Sequence, residues 1–235
     1  MTSYKSMSDK PSVRSPWFWV PSLYFAQGIP YVAVMIVSVL MYKRLGVSNT
    51  DIALYTSWLN LPWVIKPFWS PFVDLLKTKR WWVVTMQLLI GAGLAGVAFT
   101  IPTTFFFQAS LAVFWLLAFS SATHDIAADG FYMLALDSHE QAFFVGIRST
   151  FYRIAIIAGQ GVLVMFAGFL ENSTGNIPLA WSVTFFILGG LFLALFLYHR
   201  YILPLPKGDK PSATVTPSTI LKEFFATFAS FFKKK

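Results

Sequence analysis

The chain has 235 residues, of which 56% are hydrophobic, 18% aromatic and only 12% charged. A soluble domain carries about 25% charged residues, so this composition excludes an ordinary water-soluble domain and indicates a membrane protein. The net charge of +8 does not indicate nucleic-acid binding, because the basic residues cluster just outside apolar blocks, as in membrane proteins that keep Lys and Arg in the cytoplasm.

Residues 1–16 are polar and are expected to form a cytoplasmic N-terminal segment. Six apolar blocks follow, and each is long enough to span a bilayer as a helix of about 20 residues. Short turns join them, and Ser48 or Asn49 can cap the second. The sequence therefore predicts an all-α integral membrane bundle over residues 17–202, with helices at Trp17–Tyr42, Thr50–Leu76, Arg80–Ile101, Thr104–Leu134, Gly146–Glu171 and Leu179–Tyr201.

Basic residues are distributed unevenly between the two sides of this bundle. One side holds only Lys43 and Arg44. The positive-inside rule then places both termini in the cytoplasm. The opposite, cytoplasmic side holds the tail lysines and Lys5, Lys10, Arg14, Lys77, Lys79, Arg80, Arg148 and Arg200.

Residues 203–235 change character and are expected to form a cytoplasmic linker followed by an amphipathic helix. Thr216 can cap this helix, with Pro217 at its first position. It is expected to lie either on the inner leaflet or against the bundle. Its apolar face consists of Ile220, Leu221, Phe224, Phe225, Phe228, Phe231 and Phe232.

Two acids interrupt the fourth apolar block. Asp125 and Asp129 are four residues apart, so they share one face of a helix. They are expected near the inner edge of the hydrocarbon, where ionised groups need partners. The next helix supplies Arg148 and Arg153, and a hairpin folded about residues 138–139 places Asp129 level with Arg148. We expect the main pair to be Asp125 with Arg153.

A lysine interrupts the second block. Lys66 lies in NLPWVIKPFWSPFVD, where three prolines break the helical hydrogen-bond ladder. It either faces the bundle interior or extends its ammonium group to the interface. The amides of Gln27 and Asn60 lie among the aromatic residues Tyr24 and Trp63, a combination that suits a sugar-like ligand, although helix packing explains it equally well.

Several motifs resemble a known transporter class. SPFVDLLKTKR (70–80) resembles the loop between the second and third helices of the major facilitator superfamily, with Asp74, Lys79 and Arg80 at matching positions. FAQGIP (25–30), KPFWSPFVD (66–74), ATHDIAAD (122–129) and YRI (152–154) resemble, in order and spacing, segments of the AmpG-type muropeptide permeases. Gln27 and His124 depart from that family's pattern.

The resemblance implies proton-coupled import of anhydromuropeptides across the bacterial inner membrane, by a multi-pass protein that is not an enzyme and needs no cofactor or metal. Such facilitators have twelve helices, so this chain corresponds to the N-terminal six-helix half and a C-terminal half would complete it. The expected roles are proton coupling by Asp125, Asp129, Arg148, Arg153 and Lys66, substrate binding by Tyr24, Gln27, Asn60, Trp63 and Lys66, and gating by Asp74, Lys79 and Arg80.

Other functions remain open. The chain could carry another solute, such as acetyl-CoA, a sugar or a drug, or it could be a regulatory half without transport. Asp129 and Gly130 begin the motif of the membrane CDP-alcohol phosphotransferases, but Met133 and Leu134 stand where Ala and Arg belong. A metal site at His124, Asp125 and Asp129 is disfavoured because this spacing does not converge on one helix.

Overall fold

A computed structural model of the protein describes residues 15–210, and within them the chain consists of helices and turns without strands. The predicted amphipathic helix after Thr216 and most of the N-terminal segment lie outside the described residues. Five helices in the described part are long and apolar enough to cross a membrane. They are α1 (Pro16–Arg44), α5 (Lys79–Thr100), α6 (Phe106–Ala135), α7 (Ser138–Thr174) and α8 (Ile177–Ile202).

The prediction of one continuous second helix is wrong. Residues 49–76, here called the broken segment, contain three short helices, α2 (Asn49–Thr56), α3 (Leu61–Val64) and α4 (Ser70–Leu76). They are joined by 3₁₀ turns at Ser57–Asn60 and Lys66–Phe68. Proline has no N–H to donate and its ring clashes with the preceding turn, so Pro62, Pro67 and Pro71 divide the segment. Its predicted cap is confirmed, because the Asp51 amide donates to Ser48 Oγ.

The fifth predicted helix begins eight residues earlier in the structure than the sequence suggested. Helix α7 starts at Ser138 instead of Gly146, because Asp137 and Glu140 form a capping box. The Asp137 side chain accepts the Glu140 amide at 2.9 Å, and Glu140 accepts the Asp137 amide at 3.1 Å. These bonds satisfy helix-start amides that would otherwise lack partners. The bounds of α1, α5, α6 and α8 agree with prediction to within two residues.

Helix α5 packs between α6 and α8, and α1 packs against both α6 and α7. This packing buries two separate apolar clusters. One contains Val34, Ile90, Phe114 and Phe192. The other contains Trp19, Val83, Phe131 and Leu203.

Between these clusters lies a row of fully or nearly fully buried polar side chains, here called the polar layer. It consists of Gln87 on α5, His124 and Asp125 on α6, and His199 on α8. Polar groups buried at this depth cost free energy unless they are hydrogen-bonded. The polar layer is therefore a candidate functional region of the bundle.

One end of the bundle, here called the basic end, holds Lys77, Lys79, Arg80 and Arg200. At the opposite end, an ion pair holds helices together. Arg44 on α1 donates through two nitrogens to the buried carboxylate of Glu171 on α7. Trp181 Nε1 on α8 donates to the same carboxylate at 2.7 Å. These contacts tie three helices together, and the sequence analysis did not anticipate them.

Candidate functional site

Lys66 and Asp125 form an ion pair inside the bundle. Lys66 Nζ lies 2.5 Å from Asp125 Oδ2, and the side chains are 27% and 10% exposed. The 3₁₀ turn at Lys66–Phe68 turns the lysine toward α6, so the break in the second apolar block positions this charge. Of the two sequence interpretations of Lys66, the interior one is confirmed.

The expected pairing of Asp125 with Arg153 is wrong. Lys66 Nζ donates to the Asp125 carboxylate in place of Arg153, whose side chain is exposed. The hairpin alignment could not show this, because it considered only α6 and α7. The partner comes from a segment whose 3₁₀ turns do not follow the rotation of an α-helix.

The second acid is held by α1 and α7. The Tyr24 hydroxyl donates to Asp129 Oδ1 at 3.0 Å, and Arg148 Nη2 lies 3.5 Å from the same oxygen. The Arg148 guanidinium also stands over the rings of Tyr24 and Tyr132, with distances of 4.8 and 5.0 Å to the centroids. The predicted proximity of Asp129 and Arg148 is confirmed, and cation–π contacts reinforce it.

A cavity of about 460 Å³ opens beside this second pair. Its lining places two guanidinium groups among phenol, amide and hydroxyl groups, which together can bind both a carboxylate and sugar hydroxyls. Two of the predicted substrate residues, Tyr24 and Gln27, therefore lie beside the two arginines, a proximity that was not predicted from the sequence. The lining residues are Tyr24, Gln27, Arg148, Ser149, Tyr152 and Arg153.

Close packing of α1 on α7 forms the floor of this site. A Cβ on Gly28 would lie 2.7 Å from Ala155 Cβ and 2.9 Å from the Tyr152 carbonyl oxygen. A Cβ on Gly159 would lie 2.1 Å from Val32 Cγ1. Only glycine lets the helices approach this closely, and this approach brings Gln27 next to Tyr152.

The remaining predicted substrate residues lie elsewhere on the broken segment. Asn60 ends a 3₁₀ turn and is half-buried. The Trp63 ring packs edge-on against Tyr31, with centroids 5.2 Å apart. Neither residue lines the cavity beside Arg148. Lys66 instead lines a separate cavity of about 400 Å³ together with Ser70 and Asp74.

The polar layer contains a hydrogen-bonded chain across three helices. Gln87 Nε2 lies 3.1 Å from His124 Nε2, and Gln87 Oε1 lies 3.0 Å from His199 Nδ1. Ser22 Oγ on α1 continues the chain, 2.9 Å from His199 Nε2. An amide nitrogen only donates and its oxygen only accepts, so His124 Nε2 accepts and His199 Nδ1 carries a proton.

His124 stands out in the sequence, but its partners Gln87 and His199 do not. Gln87 belongs to no motif, and His199 lies in the last turn of α8, where a histidine usually interacts with the helix terminus. The one sequence feature that marks these residues is that they interrupt otherwise apolar helices. A hydropathy pattern does not show which interruptions face one another.

The three predicted gating residues separate into two contacts. Lys79 forms an ion pair with Asp74. Arg80 donates to the carbonyl oxygens of Arg200 and, at 3.2 Å, Leu203, which ties α5 to the end of α8. An unanticipated acid also acts here.

That acid is Asp209, which follows α8. Its carboxylate accepts the backbone amides of Lys79 at 2.6 Å and Arg80 at 3.0 Å. These amides belong to the first turn of α5, where partial positive charge favours an anion. The linker is therefore fastened to the basic end. Across the described residues, no group of three or more His, Asp or Glu side chains is arranged to hold a metal ion.

Comparison with known proteins places these features in context. The sequence profile of the BT1 family matches residues 25–229. The chain is 29% identical over 181 residues to putative transporter AmpG 4 of Rickettsia conorii. The aligned residues make up 71% of this chain and 40% of that protein. It is 26% identical over 226 residues to the Rickettsia felis protein of the same description, covering 88% of this chain and 50% of the relative.

The anhydromuropeptide permease of Escherichia coli is 27% identical over 151 residues, which is 61% of this chain and 30% of the permease. The chain thus spans half or less of the length of these three relatives.

Proposed function

The chain belongs to the BT1 family of AmpG-type membrane transporters, and from this premise we propose that it is one half of a proton-coupled importer of anhydromuropeptides. In this proposal a C-terminal six-helix half completes the protein. The transporter lies in the bacterial inner membrane, with both termini in the cytoplasm. The low coverage of the relatives supports a second half, and the uneven basic residues support the orientation.

The observation that carries the proposal is the ion pair of Lys66 and Asp125. Ionised groups within spanning segments are costly and usually serve transport or proton transfer. The pair gives a simple route to coupling. When a carboxylate of the substrate binds the Lys66 ammonium, Asp125 loses its counter-charge and takes up a proton. Substrate release then frees Lys66 for Asp125, and the proton leaves.

The charge balance makes this scheme a symport. The loaded site holds Lys66 as a cation, a substrate carboxylate and a neutral Asp125, while the empty site holds Lys66 and ionised Asp125. Both states are neutral at this position, so neither brings an uncompensated charge into the bundle. One proton accompanies each substrate carboxylate.

The cavity beside Arg148 supplies the substrate contacts in this proposal. Arg153 is exposed at its lining, and its fork of donors suits a second carboxylate. The Tyr24 and Tyr152 rings offer flat faces for a sugar, and Gln27 offers an amide for its hydroxyl groups. Asn60 and Trp63 extend the route along the broken segment.

Gating in this proposal uses the contact of Asp74 with Lys79 at the basic end. The pair joins the end of α4 to the start of α5. Rocking of one half against the other would break it, as in other transporters with repeated halves. Asp129, held by Tyr24 and Arg148, is the second candidate for carrying the proton.

The test is uptake of radiolabelled anhydromuropeptide by cells that make the full-length protein. Asp125→Asn should abolish accumulation driven by the proton gradient while membrane insertion stays normal. Asp51→Asn is the matched control, because Asp51 is an exposed acid outside the site, and it should transport normally. Full proton-driven uptake by Asp125→Asn would remove Asp125 from the mechanism.

Two further arms separate the parts of the proposal. If Asp129→Asn alone abolishes coupling, Asp129 carries the proton. Accumulation that persists in the presence of a protonophore would contradict proton coupling. Uptake of a different solute with no muropeptide uptake would contradict the substrate but not the family.

A further inference from the structure

A cavity of about 490 Å³ lies at the basic end, between α5 and α8, and shares no lining residue with the cavity beside Arg148. Residues of α5 form one wall, Phe196 and Arg200 of α8 form another, and the linker after α8 closes one side. The α5 wall consists of Thr78, Arg80, Trp81, Val84, Thr85 and Leu88.

One end of the cavity is basic. The Arg200 side chain is exposed and makes no hydrogen bond or ion pair to another described side chain. Arg80 is fixed nearby, since it donates to the carbonyl oxygens of Arg200 and Leu203. Lys77 adds a third cation and lies 5.9 Å from the centre of the Trp81 ring.

The acid in the lining does not cancel this charge. Both oxygens of the Asp209 carboxylate accept backbone amides at the start of α5. The partial positive charge of the helix start, about half a unit, offsets part of the carboxylate charge. The side-chain charges that remain toward the opening are those of arginine and lysine.

The other end of the cavity is apolar. Val84, Leu88 and Phe196 line it, and Leu88 is 42% exposed. The outer surface of both helices continues this character, with Leu89 on α5 and Leu193 on α8 also exposed. Exposed leucine on spanning helices faces acyl chains. The cavity therefore passes from a basic rim with an interfacial Trp to a lipid-facing groove.

We propose that this cavity binds one anionic phospholipid of the leaflet at the basic end. The phosphate lies against Arg200, with Arg80 and Lys77 adding attraction, and one acyl chain follows Leu88 and Phe196. Basic recesses between spanning helices have the charge and depth for such headgroups, and tryptophan prefers this interfacial level. The lipid would bridge α5 and α8 at the point where the linker is fastened.

The test is native mass spectrometry of the purified full-length protein, titrated with phosphatidylglycerol or with phosphatidylcholine of the same acyl chains. Phosphatidylglycerol should bind more tightly to the unmodified protein. Arg200→Gln should weaken that binding about fivefold, the effect of removing one basic group near the headgroups. Arg200→Lys should retain most of it.

Lys43→Gln is the matched control, because Lys43 is an exposed base at the opposite end, and it should bind phosphatidylglycerol normally. Equal binding of the two lipids, or unchanged binding by Arg200→Gln, would overturn the proposal. Displacement of the lipid by an equal concentration of glycerophosphoglycerol or inorganic phosphate would also overturn it, because the site would then recognise a free anion and not the acyl chain.

Discussion

The ammonium group of Lys66 lies 2.5 Å from the carboxylate of Asp125, although 59 residues separate them in the sequence. The pair joins a 3₁₀ turn of the broken segment to α6, so the charge of Asp125 is balanced without help from α7. Arg148 and Arg153 instead line the cavity that also contains Gln27 and Tyr152.

Removing one member of the Lys66–Asp125 pair should destabilise the protein. Lys66→Met leaves a carboxylate that is 10% exposed without its counter-charge. Breaking a fully buried pair costs about 3–5 kcal/mol, and we expect about 2 kcal/mol here because Lys66 is partly exposed. Thermal unfolding in detergent measures the loss.

The double variant Lys66→Met with Asp125→Asn should recover much of that stability, since it removes both charges. Lys43→Met provides the comparison at an exposed lysine, where little change is expected. A double variant as unstable as the single one would show that the two side chains do not interact.

Replacing Gln87 by leucine should disrupt the polar layer. Both His124 and His199 would lose a hydrogen-bond partner while fully buried, at about 1–3 kcal/mol for each unsatisfied group. The free energy of unfolding should fall accordingly. Gln108→Leu is the matched control, because Gln108 is an exposed glutamine on α6. Equal stability of the two variants would contradict the assigned hydrogen bonds.

Gly159→Ala should force α1 and α7 apart, because the new methyl group would lie 2.1 Å from Val32 Cγ1. Overpacking of this kind costs about 1–3 kcal/mol. Val32→Ala in the same protein should restore part of the melting temperature. Gly168→Ala has no atom within 4 Å of its new methyl group, so it should be neutral or should stabilise the helix by up to about 1 kcal/mol.

Asp209→Ala should release the linker from α5. The variant loses two hydrogen bonds to the start of that helix, and a lost cap costs about 1 kcal/mol. Limited trypsin digestion is the more direct measurement, because cleavage after Lys207 requires a loosened backbone. Faster release of the fragment ending at Lys207 is expected in Asp209→Ala, whereas Asp51→Ala should match the unmodified protein.

The spanning helices were predictable because hydropathy depends only on local sequence. Long apolar runs fixed four of them to within two residues. The broken segment is less apolar than the other spans, but it is long enough to cross a bilayer and more than half of its residues are apolar, so its composition did not reveal the breaks. The three prolines indicated bending, but not that the segment would divide into short helices joined by 3₁₀ turns.

Partners across helices were less predictable than the polar residues themselves. Asp129 and Arg148 could be matched because α6 and α7 are consecutive, and a short hairpin fixes their alignment. Lys66 with Asp125 and Gln87 with His199 required the rotation of helices that are distant in the sequence. Asp209 was overlooked because its role depends on the path of the linker, which no periodic pattern describes.

The position of the polar layer between two apolar clusters also determines how the helices are aligned along the membrane normal. Contacts between leucine and valine are nearly the same if one helix slides by a turn, whereas the Gln87 amide fits only opposite two imidazoles at one height. A slip of α5 by about 5.4 Å would leave all three groups facing hydrocarbon. The hydrogen bonds of the polar layer therefore fix the heights of α5, α6 and α8 relative to one another.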